Sequence, residues 1–247
     1  MSNTIESIQD LLEVLKDYQE EGGQTLWYRG QASDVWGLIP YYMRLDNAPP
    51  ETTLLKRFKQ SAAMLIDTSP NESFDWLFLM QHYGVPTRLL DWSESPLVAL
   101  YFAVENLEQH GDKDGALWLL HPSELNKNAN INNKEEDGYI PSFEDEELKN
   151  YSIESLGSNA RVQLLPVATI ATRNNTRIQA QSGVFTIHHH ERVAIEEIGD
   201  NSHSVKLVIP KESKEKIKNQ LKILGFSKFQ LFPELSSIGD IIKEGLV

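Results

Sequence analysis

The chain of 247 residues has no cysteine, which excludes disulfides, thiolate metal sites and a cysteine nucleophile. Long hydrophobic runs are also missing. Nothing approaches the roughly 20 apolar residues that a membrane-spanning helix needs, so no membrane partner is expected. Basic residues are scarce, with 23 Lys plus Arg against 36 Asp plus Glu and a formal net charge of −13. That deficit argues against non-specific nucleic-acid binding, whose affinity rests on neutralising phosphates. A local basic groove stays open, because Arg44, Lys56, Arg57 and Lys59 are close in sequence. The opening MSNTIESIQDLLEVLKDYQE has neither a basic n-region nor a continuous apolar stretch and does not read as a signal peptide. A soluble, cytoplasmic protein is expected. The G-x-S-x-G elbow, the P-loop lysine motif, G-x-G-x-x-G and H-E-x-x-H are all absent, so a conventional hydrolase, kinase or dehydrogenase reading has no residues to carry it.

Patterning organises what is there. Ile5, Ile8, Leu11, Leu12, Leu15 and Tyr18 recur at helical spacing and predict an amphipathic opening helix, ended by Gly22 and Gly23. Leu26 to Tyr28 reads as a short strand closed by Arg29-Gly30, and a second helix follows Pro49-Pro50. A third helix starts near Asn71, a good cap, and runs to Gly84. Ala116 to Leu120, Val162 to Ala168, Arg177 to Ala180, Gly183 to His188 and Val205 to Ile209 are strand candidates. Lys211 to Leu224 predicts a helix stopped by Gly225, and Ile238 to Ile242 a last one. Residues 123–160, rich in Asn, Glu, Asp, Ser and Lys, read as a long polar surface insertion. Helices dominate the first half and strands the second, which indicates an α+β fold. With no repeat and no clear linker, residues 1–247 form one expected domain.

The stretch QHYGVPTRLLDWSESPLVALYFA, from Gln81 to Ala103, is the most informative of the chain. Gly84 supplies a left-handed helix stop and Pro86 blocks resumption. Ser95-Pro96 reads as an N-cap followed by proline at the first helical position. From Leu97 to Val104 the new helix is apolar on nearly every face, the mark of a buried helix. Between two buried helices lie Thr87, Arg88, Asp91, Trp92, Ser93 and Glu94, read as a polar turn. Charged groups wedged there must be paired or cost several kcal/mol each, on the order of magnitude. The turn is therefore an internal staple or a site.

These residues carry a resemblance. Tyr28-Arg29-Gly30-Gln31, the run Gln81 to Ser93, and Ala99-Leu100-Tyr101-Phe102-Ala103 resemble the FRG domain, named for an aromatic-Arg-Gly motif that appears here in its tyrosine form. Arg177 to Phe185 (RIQAQSGVF) and Leu231 to Leu235 (LFPEL) also fit, so the resemblance extends over about residues 20–240. A second likeness is to ADP-ribosyltransferase-like proteins. These place an Arg-Gly at the end of an early strand, a Ser/Thr-centred strand leading into a helix, and a late strand with Gln or Glu. The order here is Arg29-Gly30, then Asp91-Trp92-Ser93 before Ala99 to Ala103, then Gln181. The chain departs from that pattern in having no Ser-Thr-Ser triplet and Gln181 where most active transferases have Glu; Glu191 lies beyond a Gly and a strand.

The second likeness implies two small antiparallel sheets flanked by helices, with NAD or a related nucleotide in the cleft between them. Arg29 and Gln181 are the implied catalytic pair, Arg29 holding the pyrophosphate or a ribose and Gln181 orienting the reacting ribose. Tyr28, Gly30, Gln31, His82 and Arg88 are implied contacts, with Asp91, Trp92, Ser93 and Tyr101 completing the set. Transfer of ADP-ribose to a protein acceptor, or hydrolysis of NAD, would follow. The alternative is a non-catalytic module that binds a ligand or a protein partner. A third reading makes the Gln81–Ser93 run scaffolding and puts function in residues 123–160.

Each candidate also has a structural reading. Arg29 can fork onto a diphosphate or carboxylate, or pair internally with Asp91 or Glu94. Arg88 and Asp91, three apart, can pin the loop to each other or to neighbouring carbonyls, or form an anion clamp. His82 can cap a helix C-terminus or move a proton. Trp92 and Tyr101 can stack on a base or fill core. Gln181 can hydrogen-bond a ribose or amide, or satisfy a ladder edge. In His188-His189-His190 only His188 and His190 share a strand face. That run reads as a solvated strand end, and no metal is assigned.

Overall fold

Strands from both halves of the chain join a single sheet. The computed structural model describes residues 3–20, 25–66, 70, 72–131, 138–158, 163–171 and 175–244. Its strands are β1 (Trp27–Gln31), β2 (Leu89–Ser93), β3 (Gly115–Leu120), β4 (Val167–Thr169), β5 (Gly183–Ile187) and β6 (Ser204–Ile209). They pair antiparallel throughout in the order β4-β5-β2-β1-β3-β6. The α+β class and the flanking helices stand. The two small sheets become one six-stranded sheet, because β2 pairs with β5 over its whole length and with β1 at its end.

The helices are α1 (Ile8–Glu20), α2 (Glu51–Ala62), α3 (Ser73–His82), α4 (Pro96–Val104), α5 (Leu107–His110), α6 (Pro122–Asn128), α7 (Ile153–Ser158), α8 (Thr176–Ala180), α9 (Lys211–Ile223), α10 (Lys228–Leu231) and α11 (Leu235–Glu244). Local chemistry sets their ends. Ser95 caps α4, its hydroxyl accepting from Val98 N at 3.4 Å with Pro96 next. Gly84 (φ 74°) and Gly225 (φ 86°) stop α3 and α9 in the left-handed region. The cap of α3 is Glu72, which forms a reciprocal capping box with Asp75; Asn71, Gly22, Gly23 and Val162 lie outside the described residues.

Alternation along the strands explains the core. Tyr28, Leu117, Leu119, Leu207 and Ile209 face α1, α4 and α9. On the same side but further along the sheet, Leu89, Val167, Phe185 and Ile187 pack on α2 and α3 and on Phe143, Leu148, Tyr151 and Ile153. The opposite face holds Trp27, Leu90, Trp92, Trp118 and Leu120. Two groups of helices thus cover different halves of one sheet face, over β1-β3-β6 and over β2-β5-β4.

Four local expectations change. Residues 89–93 are a central strand rather than a turn: Leu90 and Trp92 enter one core layer while Asp91 and Ser93 point the other way. β1 continues through Arg29-Gly30 to Gln31 instead of ending there, held by five pairs to β3. Arg177 to Ala180 is helical, nucleated by the Asn175 side chain accepting from Arg177 N at 2.8 Å. The polar segment 123–160 is not all surface, since Leu125, Asn126, Leu148 and Tyr151 are buried in it.

Candidate functional site

β1 and β2 are neighbours at the centre of the sheet, yet only Tyr28 and Ser93 pair between them. Every residue of β1 pairs with β3, and every residue of β2 with β5. The two strands therefore diverge, and the opening is a cleft of about 410 Å³, within the roughly 300–1,000 Å³ usual for small-molecule sites. Its walls are β1 with the following loop to Arg44, the ends of α3 and α8, and the face of α4.

Helix α4 reaches the cleft because of one glycine. A Cβ on Gly30 would lie 1.8 Å from Ala99 O and 2.8 Å from Ala103 N, so only glycine lets the helix backbone lie on β1. Gly30 lines the cleft, but the need for glycine there comes from packing.

Charge distinguishes the cleft. Arg29, Arg44 and Arg177 all line it, and none has a carboxylate within ion-pair distance among the described residues. Arg29 is half-buried; its NH1 donates to Asp91 O at 2.5 Å and its buried Nε has no acceptor. Burial pulls the guanidinium below its usual range; Asp91 opposes this, and the like charge of Arg44 adds to it. Arg44 is exposed, with its guanidinium 5.4 Å from the centre of the Tyr41 ring. Arg177 donates to His82 O at 3.2 Å and lies 4.6 Å above the Phe232 ring. The His82 imidazole is pushed below its ordinary value by burial and by Arg177, against the opposing effect of Glu234 at 3.9 Å.

Other expected residues are gathered at the same cleft, with their polar atoms largely engaged. Asp91 accepts from Gln81 Nε2 at 2.8 Å, and Gln81 in turn accepts from Thr87 Oγ1 at 2.5 Å. Ser93 Oγ donates to Gln181 O at 2.7 Å, bringing the two together, but the Gln181 carboxamide donates to Leu231 O at 3.0 Å. Gln31 accepts from Trp118 Nε1 at 2.8 Å and donates to Gly37 O at 3.3 Å. Trp92 is core, its Nε1 donating to Thr186 Oγ1 at 3.0 Å. Tyr28 belongs to the core as well, its phenol pushed up by burial.

Two expected contacts are elsewhere. Tyr101 packs against the α1–α9 side of the core and is not on the cleft wall. Arg88 is 2% exposed and pairs with Glu51, not Asp91, at 2.7 Å. Its NH1 and NH2 donate to His188 O at 2.5 Å and Tyr151 O at 2.7 Å. It is a latch joining α2, β2 and the segment after β5. His188 and His189, read as a solvated strand end, are 0% and 1% exposed: the His188 ring lies 3.0 Å from Val193 O and the His189 ring packs edge-on against Tyr151. Burial pushes both imidazoles down to about 4. No group of three or more metal-ligating side chains occurs among the described residues.

Sequence reasoning missed three contributors to the cleft. Arg44 reads in sequence as one of several neighbouring cations, Arg177 as part of a motif, and no sequence signal marks Glu105. It ends α4 and lines the cleft, and burial raises its carboxyl above the usual range while Lys228, Lys218 and Arg177 oppose. Nothing local marks these residues, because the chain segments that carry them meet only in the fold.

Residues 24–112 match the FRG domain. The matched segment supplies β1, α2, α3, β2, α4 and α5, and with them Arg29, Arg44 and Glu105. Arg177 and Gln181 come from outside it, so the cleft is completed by the chain beyond the FRG match. Comparison with curated proteins and with solved structures finds no match. No helix among the described residues is long and apolar enough to cross a membrane.

Proposed function

We propose that the cleft between β1 and β2 binds an anionic, nucleotide-like small molecule of the NAD class. The observation that carries this reading is the contrast among arginines. Arg88, outside the cleft, has a buried carboxylate and two carbonyls, whereas Arg29, Arg44 and Arg177 line one cavity without a carboxylate partner. In a chain with 13 more acidic than basic residues, a cleft with three guanidinium groups against the two carboxylates of Asp91 and Glu105 is locally cationic and suits an anionic ligand. Aromatic surfaces of Trp36, Phe102 and Phe78 on the same walls suit a base or nicotinamide ring.

The residues fit the group. Arg29, with its buried unpartnered Nε, holds a phosphate or ribose oxygen. Bound there, NAD brings a glycosidic C–N bond whose cleavage develops positive charge on the ribose. Asp91 and Glu105 are the cleft's two carboxylates and supply negative potential toward that charge. Ser93, with its hydroxyl held by Gln181 O, fixes the strand-to-helix corner. ADP-ribosyl transfer to a protein acceptor, or NAD hydrolysis, is the reaction this arrangement serves.

A second reading is a non-catalytic module that binds the same ligand. The direction of the Gln181 carboxamide, onto Leu231 O rather than toward the cavity, favours it. A thermal-shift series with NAD, ADP-ribose and nicotinamide tests binding, and a nicotinamide-release assay separates the two readings. Binding with release supports the enzyme. Saturable binding without release supports the module. No shift with any of the three removes both.

A further inference from the structure

We propose that Arg29 and Arg44 act together as a two-guanidinium clamp on a diphosphate. This rests on the reading of the cleft as a nucleotide site and specifies which part of the ligand is held where. Arg29 projects from the centre of the sheet. Arg44 ends the 3-10 turn Tyr42–Arg44, on the same cavity. The backbone carrying Arg44 is fixed on every side. Met43 is buried, Tyr42 N donates to Thr87 O at 3.3 Å, and Tyr42 OH donates to Pro49 O at 3.0 Å. Leu45 O, just beyond, accepts from Arg192 NH2 at 2.7 Å. Arg44 is therefore a long cation on an anchored stem, and among the described residues the Tyr41 ring is the partner of its guanidinium.

Two like charges facing one cavity repel, and an anion between them removes that cost. A single carboxylate presents two oxygens, which one guanidinium fork already satisfies. Arg29 has one N–H on Asp91 O and keeps its Nε and remaining N–H groups for the ligand. Together with the five N–H donors of Arg44, that set exceeds what a carboxylate can accept and suits the oxygens of a diphosphate.

The test is calorimetric titration of inorganic pyrophosphate, ADP-ribose and nicotinamide into wild type, Arg44→Ala, Arg44→Lys and Lys56→Ala. Lys56 is an exposed cation outside the cleft and controls for general charge. The expected result is a loss of about tenfold or more for pyrophosphate and ADP-ribose in Arg44→Ala, the size of one charge-assisted hydrogen bond. Arg44→Lys should recover only part, since it keeps charge without the fork. Nicotinamide affinity and Lys56→Ala should match wild type. Arg44→Ala binding ADP-ribose as wild type does overturns the clamp and leaves the nucleotide reading intact. Wild type binding neither ADP-ribose nor pyrophosphate overturns both.

Discussion

Replacing Arg88 by Ala should cost the fold far more than replacing Arg29 by Ala. Arg88 is 2% exposed and its partner Glu51 is 6% exposed. Removing the guanidinium leaves a buried carboxylate without its counter-charge, a loss of roughly 3–5 kcal/mol for pairs of this kind. Two carbonyls, His188 O and Tyr151 O, lose their donor as well, at about 1 kcal/mol each. The sum, about 5 kcal/mol or somewhat more, takes up much of the roughly 5–15 kcal/mol a domain has in total. Arg29→Ala removes an unpaired, half-buried charge and one bond to Asp91 O, so its cost should be about 1 kcal/mol or less. Urea titrations followed by circular dichroism, with the slopes compared to confirm two-state unfolding, measure both. Equal midpoint shifts for the two variants, or an Arg88→Ala shift worth less than about 1 kcal/mol, would refute the division into latch and site.

Gly30→Ala should prevent folding or greatly destabilise the protein, because the new Cβ would meet Ala99 O at 1.8 Å and α4 cannot yield without leaving the sheet. A soluble variant with a wild-type melting temperature contradicts this. Acid sensitivity should begin above the carboxylate range. The buried His188 and His189 rings are held near 4 against an ordinary 6.5, so below 6.5 the unfolded chain takes up protons that the folded chain refuses. Stability is full above about pH 6.5 and falls as pH drops toward 4, by about 3 kcal/mol for the His188 ring and by less for His189, part of whose shift comes from the neighbouring His190 and Arg88. A urea midpoint that stays flat between about pH 6.5 and 5 removes the argument.

Much of the fold was legible where a single residue type has one local job. Ser95-Pro96 starts α4, Gly84 and Gly225 stop helices, and β3, β5 and β6 fall where β-branched and apolar runs are. The run Thr87 to Ser93 misled because Asp91 and Ser93 look like turn residues. They are polar because the strand borders a cleft, and the divergence of β1 from β2 is a tertiary fact that no local pattern carries. Arg177 to Ala180 reads as a strand in sequence because α8, Thr176–Ala180, has only five residues, too few to show a helical period. The pairing of Arg88 with Glu51 joins residues 37 apart in sequence, so the nearer Asp91 was the natural but mistaken partner. The ordered set Arg29, Ser93 and Gln181 does come together. Arg44 and Glu105 complete the cleft through packing alone.

The central claim is that this cleft holds an anionic nucleotide on Arg29. Its most direct test is calorimetric titration of ADP-ribose into wild type and Arg29→Ala, with the fold of each confirmed by its melting temperature. The account predicts saturable one-site binding to wild type that is lost in the variant. Equal affinity for both proteins, or none for wild type, contradicts it.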